Sequence, residues 1–323
     1  MSPTDRNSMA IPDSPEGQIP HEGHSSAPAM IPDEFSDEDG EFEAEESDIT
    51  SLSSSVLEYE YENGRRYHSS RSGHYMMPND EEEQDRMDLG ELHKAPITNP
   101  RKILDLGTGT GIWALDIADP IQPGWVAPNV EFIVEDFESE WLYQKDSFDF
   151  IHARLLAGCV GDWSQFFSRV FEHVKPGGYF EIKESAVWAW SDDGTLKPDS
   201  PLFQYLQALD SAGRAMGREL NIYYKLKEWM VEAGFEDVQQ FTYLLPYSPW
   251  PRDPYLKEIG KYQAVMVQQA VESYGLRLCT QVLGWGAEPA RIFQAMVKKQ
   301  LRDKHLHAYV KEVVVYGRKP LSE

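Results

Sequence analysis

The stretch Lys102-Ile103-Leu104-Asp105-Leu106-Gly107-Thr108-Gly109-Thr110-Gly111-Ile112-Trp113 decides the fold class of this chain. Residues 103–106 are an apolar run suited to a buried strand. Three glycines spaced by single residues follow, and then an apolar helical pattern over residues 112–118. The order is strand, glycine turn, helix. Glycine has no Cβ, so its backbone can come close to a ligand, and the free N–H groups at a helix start face that ligand. The spacing Gly107-x-Gly109-x-Gly111 departs from the Gly-x-Gly-x-x-Gly of dinucleotide binders, which argues against a nicotinamide-dependent oxidoreductase. Asp105 precedes the first glycine by two residues, and a carboxylate there suits a cationic amine better than a pyrophosphate.

Outward from this turn, strands and helices alternate. Strands are expected at 102–106, 129–134, 147–152, 179–183, 238–245 and 309–316. Helices are expected at 111–118, 163–174, 202–217, 222–233, 255–274 and 287–303. Phe166, Phe167, Val170 and Phe171 share one face of the 163–174 helix, and Lys175-Pro176-Gly177-Gly178 stops it. Alternation of this kind means an α/β fold with a mainly parallel sheet, helices on both faces and an antiparallel last strand at 309–316. Residues 101–323 form this domain, with a helical substrate cap at 202–217, 255–274 and 287–303. Residues 56–100 show no strand or long-helix period and read as an N-terminal flap. Residues 1–55 are rich in Ser, Pro, Asp and Glu and are expected to be a disordered acidic tail, because they cannot bury enough apolar surface to offset ordering entropy.

Charge and cysteine usage narrow the function. The net charge is −24, from 30 basic and 54 acidic side chains. Residues 1–50 carry a single base, Arg6, against fourteen acids. Direct nucleic-acid binding is excluded, since it needs a basic face. Cys159 and Cys279 lack metal-ligand spacing, so neither a metal site nor a disulfide framework is expected, and a reducing compartment is the default. No signal peptide opens the chain, and no apolar run nears the roughly 20 residues of a membrane span. An intracellular protein, in nucleus or cytoplasm, is expected. Trp188, Trp190, Trp250 and Trp285 are candidates either for an aromatic-accepting pocket or for the core.

The glycine turn with Asp105 resembles motif I of S-adenosylmethionine-dependent methyltransferases. Other segments carry a narrower likeness: Glu62-Asn63-Gly64-Arg65-Arg66-Tyr67-His68, Met77-Pro78-Asn79-Asp80-Glu81, Ser147-Phe148-Asp149-Phe150-Ile151-His152-Ala153-Arg154, His173-Val174-Lys175-Pro176-Gly177-Gly178-Tyr179, Trp190-Ser191-Asp192-Asp193-Gly194-Thr195-Leu196 and Val314-Val315-Tyr316-Gly317-Arg318-Lys319-Pro320. Together they resemble the LaeA-like methyltransferases of filamentous fungi. The resemblance implies a class I, Rossmann-like methyltransferase fold and S-adenosylmethionine as cofactor. It also implies a setting in fungal secondary metabolism, either as a pathway enzyme or as a regulator with a velvet-type partner. The methyl acceptor is then a small molecule or a protein. A degenerate methyltransferase acting as a protein-binding module is the alternative.

Carried over by resemblance, Gly107, Gly109 and Gly111 line the methionine part of the cofactor and Asp105 holds its ammonium. Asp136 accepts from the adenine amine and Phe137 packs on the adenine. His152 and Arg154 stand at the rim where the acceptor meets the methyl group, His152 either as a packed rim histidine or as a general base. Tyr67, with Arg66 and Tyr75, closes the flap or simply packs. Two segments depart from the family. The second strand, whose carboxylate holds the ribose, falls at Pro120-Ile121-Gln122-Pro123-Gly124-Trp125-Val126-Ala127-Pro128-Asn129. Its prolines cannot serve a central strand and it holds no acid. That strand is expected to be missing, with Asp119 the nearest substitute. A second shortfall lies at 87–93, where relatives carry a longer apolar helix.

Overall fold

The apolar run before the glycines forms a strand, Ile103–Leu106, and its neighbours build a single mixed sheet. The computed structural model describes residues 30–33, 59–62, 65–68, 92–109, 113, 114, 117, 130–133 and 135–321. Within them the chain order is β1 (Tyr59–Glu62), β2 (Arg65–His68), β3 (Ile103–Leu106), β4 (Phe148–Arg154), α1 (Trp163–His173), β5 (Val174–Ser185), α2 (Pro201–Ala215), α3 (Leu226–Glu232), β6 (Glu236–Pro246), α4 (Pro254–Arg277), a π turn (Leu278–Val282), α5 (Ala287–Leu301) and β7 (Tyr309–Arg318). After the glycine turn, Trp113, Ala114 and Ile117 are helical, as the pattern requires.

The sheet runs β3-β4-β5-β7-β6. β3, β4 and β5 pair in parallel, and β7 runs antiparallel to both β5 and β6. One face carries Ile151, Phe180, Ile182 and Val315 against Phe166, Phe167 and Val170 of α1 and Leu226 and Met230 of α3. The other face carries Phe150 against Trp113 and Ala95. Burying each large aromatic contributes about 1.5–3 kcal/mol, so α1 is held by packing more than by propensity. Its start is fixed by Asp162, whose side chain accepts from Gln165 N at 2.9 Å. Asp253 caps α4 in the same way on Leu256 N at 2.9 Å, with Pro254 at its first position.

The Ser191-to-Leu196 segment is a clasp between β5 and β7. Asp193 accepts from Thr195 N at 3.1 Å and pairs with His307 Nδ1 at 2.5 Å. His307 N donates to Thr195 Oγ1 at 3.0 Å, and the Tyr309 hydroxyl donates to Asp192 at 2.8 Å. Three of the quoted family-like residues, Asp192, Asp193 and Thr195, are thereby spent on joining this segment to the start of β7.

Four expectations are corrected. Residues 59–68, expected without strand structure, hold the antiparallel pair β1–β2; the intervening Asn63-Gly64 is a strong two-residue hairpin signal. Residues 130–133 are not in a strand, and Phe132 and Ile133 stand about half exposed, at 49% and 48%. A strand needs a ladder partner, and among the described residues β3 pairs only with β4, leaving nothing between β3 and this segment to pair with it. The 175–178 turn does not separate helix from strand: β5 begins at Val174 and takes in Pro176 and both glycines, with a register shift between Phe148 and Phe150. Within the acidic tail, Met30–Asp33 is placed against the body. Arg252 N donates to Ile31 O at 2.7 Å, Asp33 N donates to Trp250 O at 2.9 Å, and Lys257 pairs with Asp33. The expected gap at 120–129, Gly111 and Tyr75 lie outside the described residues, as do the side chains of Arg66 and Tyr67.

Candidate functional site at the carboxyl ends of the strands

The glycine turn sits at the end of β3, and its conformation needs glycine. Gly107 has φ +71° and Gly109 φ +60°. A Cβ on Gly107 would come within 2.6 Å of the Leu156 side chain. Thr108 closes the turn by donating its hydroxyl to Asp105 O at 2.8 Å. The result is a tight turn of the kind that lets backbone groups come close to a polar ligand.

Beneath the turn lies a buried pair. Asp105 Oδ1 accepts from His152 Nδ1 at 2.8 Å, with the side chains 7% and 2% exposed. The His152 ring stacks on Trp113, with centroids 3.8 Å apart and planes 5° from parallel. Trp113 in turn donates to Leu92 O. His152 was expected at the acceptor rim. It lies instead inside β4 and under the turn, because an imidazole on this face finds both a carboxylate and an indole to cover it. There it holds the Asp105 carboxylate by that one hydrogen bond. Glu181, one strand over, accepts from Lys94 N and Ala95 N at 2.7 and 2.6 Å. Burial raises its carboxyl pKa against the lowering by those two N–H groups and by the field of His152 and His93.

Asp136 opens a turn over exposed chain. Its Oδ1 accepts from Glu138 N at 2.9 Å, and its carbonyl accepts from Ser139 N. Glu138 ties that turn to the loop after β4: Gly161 N donates to it at 2.7 Å and Arg218 pairs with it at 2.8 Å. Arg218 also donates to Cys159 O. Phe137 turns inward, edge-on to Phe166 with centroids 6.0 Å apart. Its expected place on an adenine is taken by core packing.

The loop after β4 is the hinge of the site. Leu155 has φ +53°, a strained value for a residue with a Cγ branch. Three bonds hold it: Leu155 N to Lys183 O at 2.9 Å, and Leu156 N and Ala157 N to the two carboxyl oxygens of Glu184 at 2.6 and 3.3 Å. Glu184 is fully buried, and burial pushes its pKa up to about 8, aided by Glu312 and opposed by those two N–H groups. Leu156 faces Gly107, while Leu155 and Ala157 face a cavity of about 170 Å³. Tyr205, Leu206 and Leu209 of α2 and Met266, Val267 and Tyr274 of α4 wall that cavity, with Leu301 at the end of α5. Two of the helices expected as a cap, α2 and α4, thus wall this cavity, and α5 reaches it through Leu301. None of the four candidate tryptophans lines it; Trp250, for instance, donates to Ala308 O at 3.0 Å within the core. Arg154 does line it, with Lys183, Glu184 and Glu312.

Glu184, Tyr205 and Tyr274 are site residues that the sequence reading does not single out. An acid inside an apolar strand, Glu184 after Ile182, was the available signal. Among the described residues, no group of three His, Cys, Asp or Glu side chains is placed to hold a metal, and no helix is long and apolar enough to cross a membrane.

With this geometry in place, comparison with known proteins is direct. A family profile described as "Methyltransferase domain" matches residues 80–240. The chain is 38% identical to "Methyltransferase pytC" of Aspergillus terreus over 301 positions, covering 85% of this chain and 92% of that protein. It is 35% identical to "Secondary metabolism regulator LAE1" of Cochliobolus heterostrophus, covering 80% and 94%. It is 30% identical to "Protein-methionine methyltransferase laeA" of Emericella nidulans, covering 85% and 80%. A strand feeding a bare glycine turn, a mainly parallel sheet with an antiparallel β7, and these likenesses along most of the chain lead to one assignment: the chain belongs to the LaeA-like family of class I methyltransferases.

Proposed function

We propose that this chain is an S-adenosylmethionine-dependent methyltransferase of fungal secondary metabolism that acts on a small-molecule acceptor. One observation carries the reading. The glycine turn and the apolar cavity lie on opposite sides of the same three residues, Leu155 to Ala157, so a donor held at one can meet an acceptor held in the other.

The residues fit the methionine half of the cofactor. The bare backbone of Gly107 and Gly109 admits an amino-acid moiety, and Asp105, oriented by His152, offers a carboxylate to its ammonium. Asp136 would take the adenine amine. When bound, the cofactor supplies a sulfonium methyl, whose displacement depends chiefly on positioning. The chain's own work is then to align the acceptor, which falls to the Leu155 loop and its Glu184 brace, and to exclude water, which falls to α2 and α4.

A second reading, a binding module for a velvet-type regulatory protein, is favoured by the sheet edge. No described strand stands beyond β3 to carry a ribose carboxylate. A site inside the cell, in nucleus or cytoplasm, belongs to either reading; it accords with two cysteines that form no disulfide. Titration calorimetry with S-adenosylmethionine separates the readings. The enzyme reading expects a weak but measurable binding isotherm that Gly109→Val abolishes. No heat of binding, together with capture of a velvet-type protein, would transfer the assignment to the second reading.

A further inference from the structure

The polar end of the cavity holds an ion pair with hydrogen-bonding capacity left over. On the β5–β7 ladder Lys183 stands opposite Val314 and Glu312 opposite Ser185. The two are therefore diagonal neighbours on one face, a spacing that long side chains span. Lys183 Nζ meets Glu312 Oε1 at 2.9 Å, and each side chain keeps 17% of its surface exposed. Both line the cavity. Among the described residues, neither head group has a further hydrogen-bond partner. An ammonium has three N–H groups and a carboxylate two oxygens, so the pair can still both donate and accept. Arg154, Glu184 and two of the tyrosines on the wall are committed elsewhere. The Tyr205 hydroxyl donates to Val271 O at 2.8 Å, Glu184 holds Leu156 N and Ala157 N, and Arg154 and Tyr274 are engaged as well. Ser185, Tyr247 and Gln263 add uncharged groups. Beyond the pair the wall is chiefly aliphatic, with Leu202, Leu206, Leu209, Val267, Val271 and Leu301. The volume, about 170 Å³, compares with the roughly 150 Å³ of an engineered cavity that takes benzene.

We infer that this cavity binds a neutral, ring-sized apolar molecule carrying one hydroxyl, which donates to Glu312 and accepts from Lys183. A hydroxyl is both donor and acceptor, so it matches a pair that offers both. The charges of the pair cancel, so a charged ligand is attracted by one member and repelled by the other. Such a ligand also leaves its hydration behind, and the pair does not make up that loss. A ligand with no polar group fills the apolar walls but leaves the spare donor and acceptor unmatched. The inference rests on the methyltransferase reading for the cavity's use as the methyl-acceptor site, but not for its binding.

The test uses the full chain without cofactor and four single-ring probes: benzyl alcohol, toluene, benzoate and benzylamine. Calorimetry at pH 7 should show benzyl alcohol binding at least as tightly as toluene, whereas a cavity with no partner for the hydroxyl would hold it about tenfold or more weakly. Benzoate and benzylamine should each bind at least about tenfold more weakly than the alcohol. Replacing both members of the pair, Lys183→Met with Glu312→Met, makes that end apolar. Toluene should then bind as before or tighter, and benzyl alcohol about tenfold or more weakly, a divergence that damage to the fold cannot imitate. Glu312→Gln leaves Lys183 without its anion and should admit benzoate, which the unaltered chain turns away. Weaker binding of benzyl alcohol than of toluene, tightest binding by benzoate or benzylamine, or equal loss of both neutral probes in the double variant would each overturn the inference. Binding of S-adenosylmethionine with no binding of benzyl alcohol would also overturn it while leaving the enzyme reading intact. Binding of benzyl alcohol as described, with no binding of S-adenosylmethionine, would uphold it and remove the enzyme reading.

Discussion

Replacing Glu184 with glutamine should change how stability depends on pH, in a direction that the structure fixes. Glu184 is fully buried and carries a carboxyl whose pKa is raised from 4.5 to about 8, chiefly by loss of water. In the unfolded chain it ionises near its ordinary value. Between these values the unfolded state has lost a proton that the folded state keeps. Stability therefore falls as pH rises from about 4.5 to about 8, and levels off above that. Each unit of separation is worth about 1.4 kcal/mol, which gives an upper figure near 5 kcal/mol; relaxation and water entry reduce it to about 2–4 kcal/mol. Glutamine has no proton to lose, keeps an acceptor for Leu156 N and is nearly isosteric. The assay is urea unfolding of both proteins at half-unit steps from pH 5 to pH 9. The stability of wild type minus that of Glu184→Gln should decline across the range by that amount. Parallel curves would refute the argument, because they would mean that Glu184 is ionised in the folded protein at neutral pH.

Two further outcomes are expected. Gly107→Ala should cost about 1–2 kcal/mol for its left-handed backbone and about 1–3 kcal/mol more for the encounter with Leu156, whereas Gly194→Ala, with φ +69° and open space around it, should pay the backbone cost alone; equal melting temperatures for the two variants would contradict the contact. Asp193→Asn should be destabilising above about pH 4 and lose that effect as pH falls further. Burial alone would raise the carboxyl of Asp193, but hydrogen bonds from His307, Ser191 and Thr195 lower it. The side chain is 38% exposed, so the effect should stay near or below 1 kcal/mol, and acid unfolding that is identical in both proteins would refute it.

The fold was legible where short-range chemistry settles it. Three glycines after Leu106 require a turn, the Phe166-Phe167-Val170 face requires a helix, and the run to Tyr316 requires a strand. What escaped depends on partners distant in sequence. Residues 130–133 have strand-like residues, but among the described residues no strand stands beyond β3 for them to pair with. His152 looks like a rim histidine until Asp105 and Trp113 close on it. Glu184 acquires its role only through the left-handed Leu155, a conformation that no sequence pattern announces. The β1–β2 pair is different: Asn63-Gly64 is a local hairpin signal that the sequence itself carries. Of the expected site, the structure sets Gly107 against Leu156 and Arg154 on the cavity wall with Leu155, pairs Asp105 with His152, ties Asp136 to the loop after β4 through Glu138, and packs Phe137 against Phe166.

The central claim is that this chain keeps the methionine half of a cofactor site and lacks the ribose half. Sequence positions 120–129 hold no acid, and β3 has no described neighbour beyond it. Losing hydrogen bonds to a charged acceptor removes about 1.5–3 kcal/mol, or roughly tenfold to over a hundredfold in affinity. The measurement is calorimetric titration of S-adenosylmethionine into three proteins: the chain as it stands, the chain with a strand-plus-acid segment inserted between Asp119 and Pro120, and that restored chain carrying Gly109→Val. Binding should be weak but measurable in the first, at least about tenfold tighter in the second, and abolished in the third. Tight binding by the chain as it stands, unchanged by the insertion or surviving Gly109→Val, would contradict the claim.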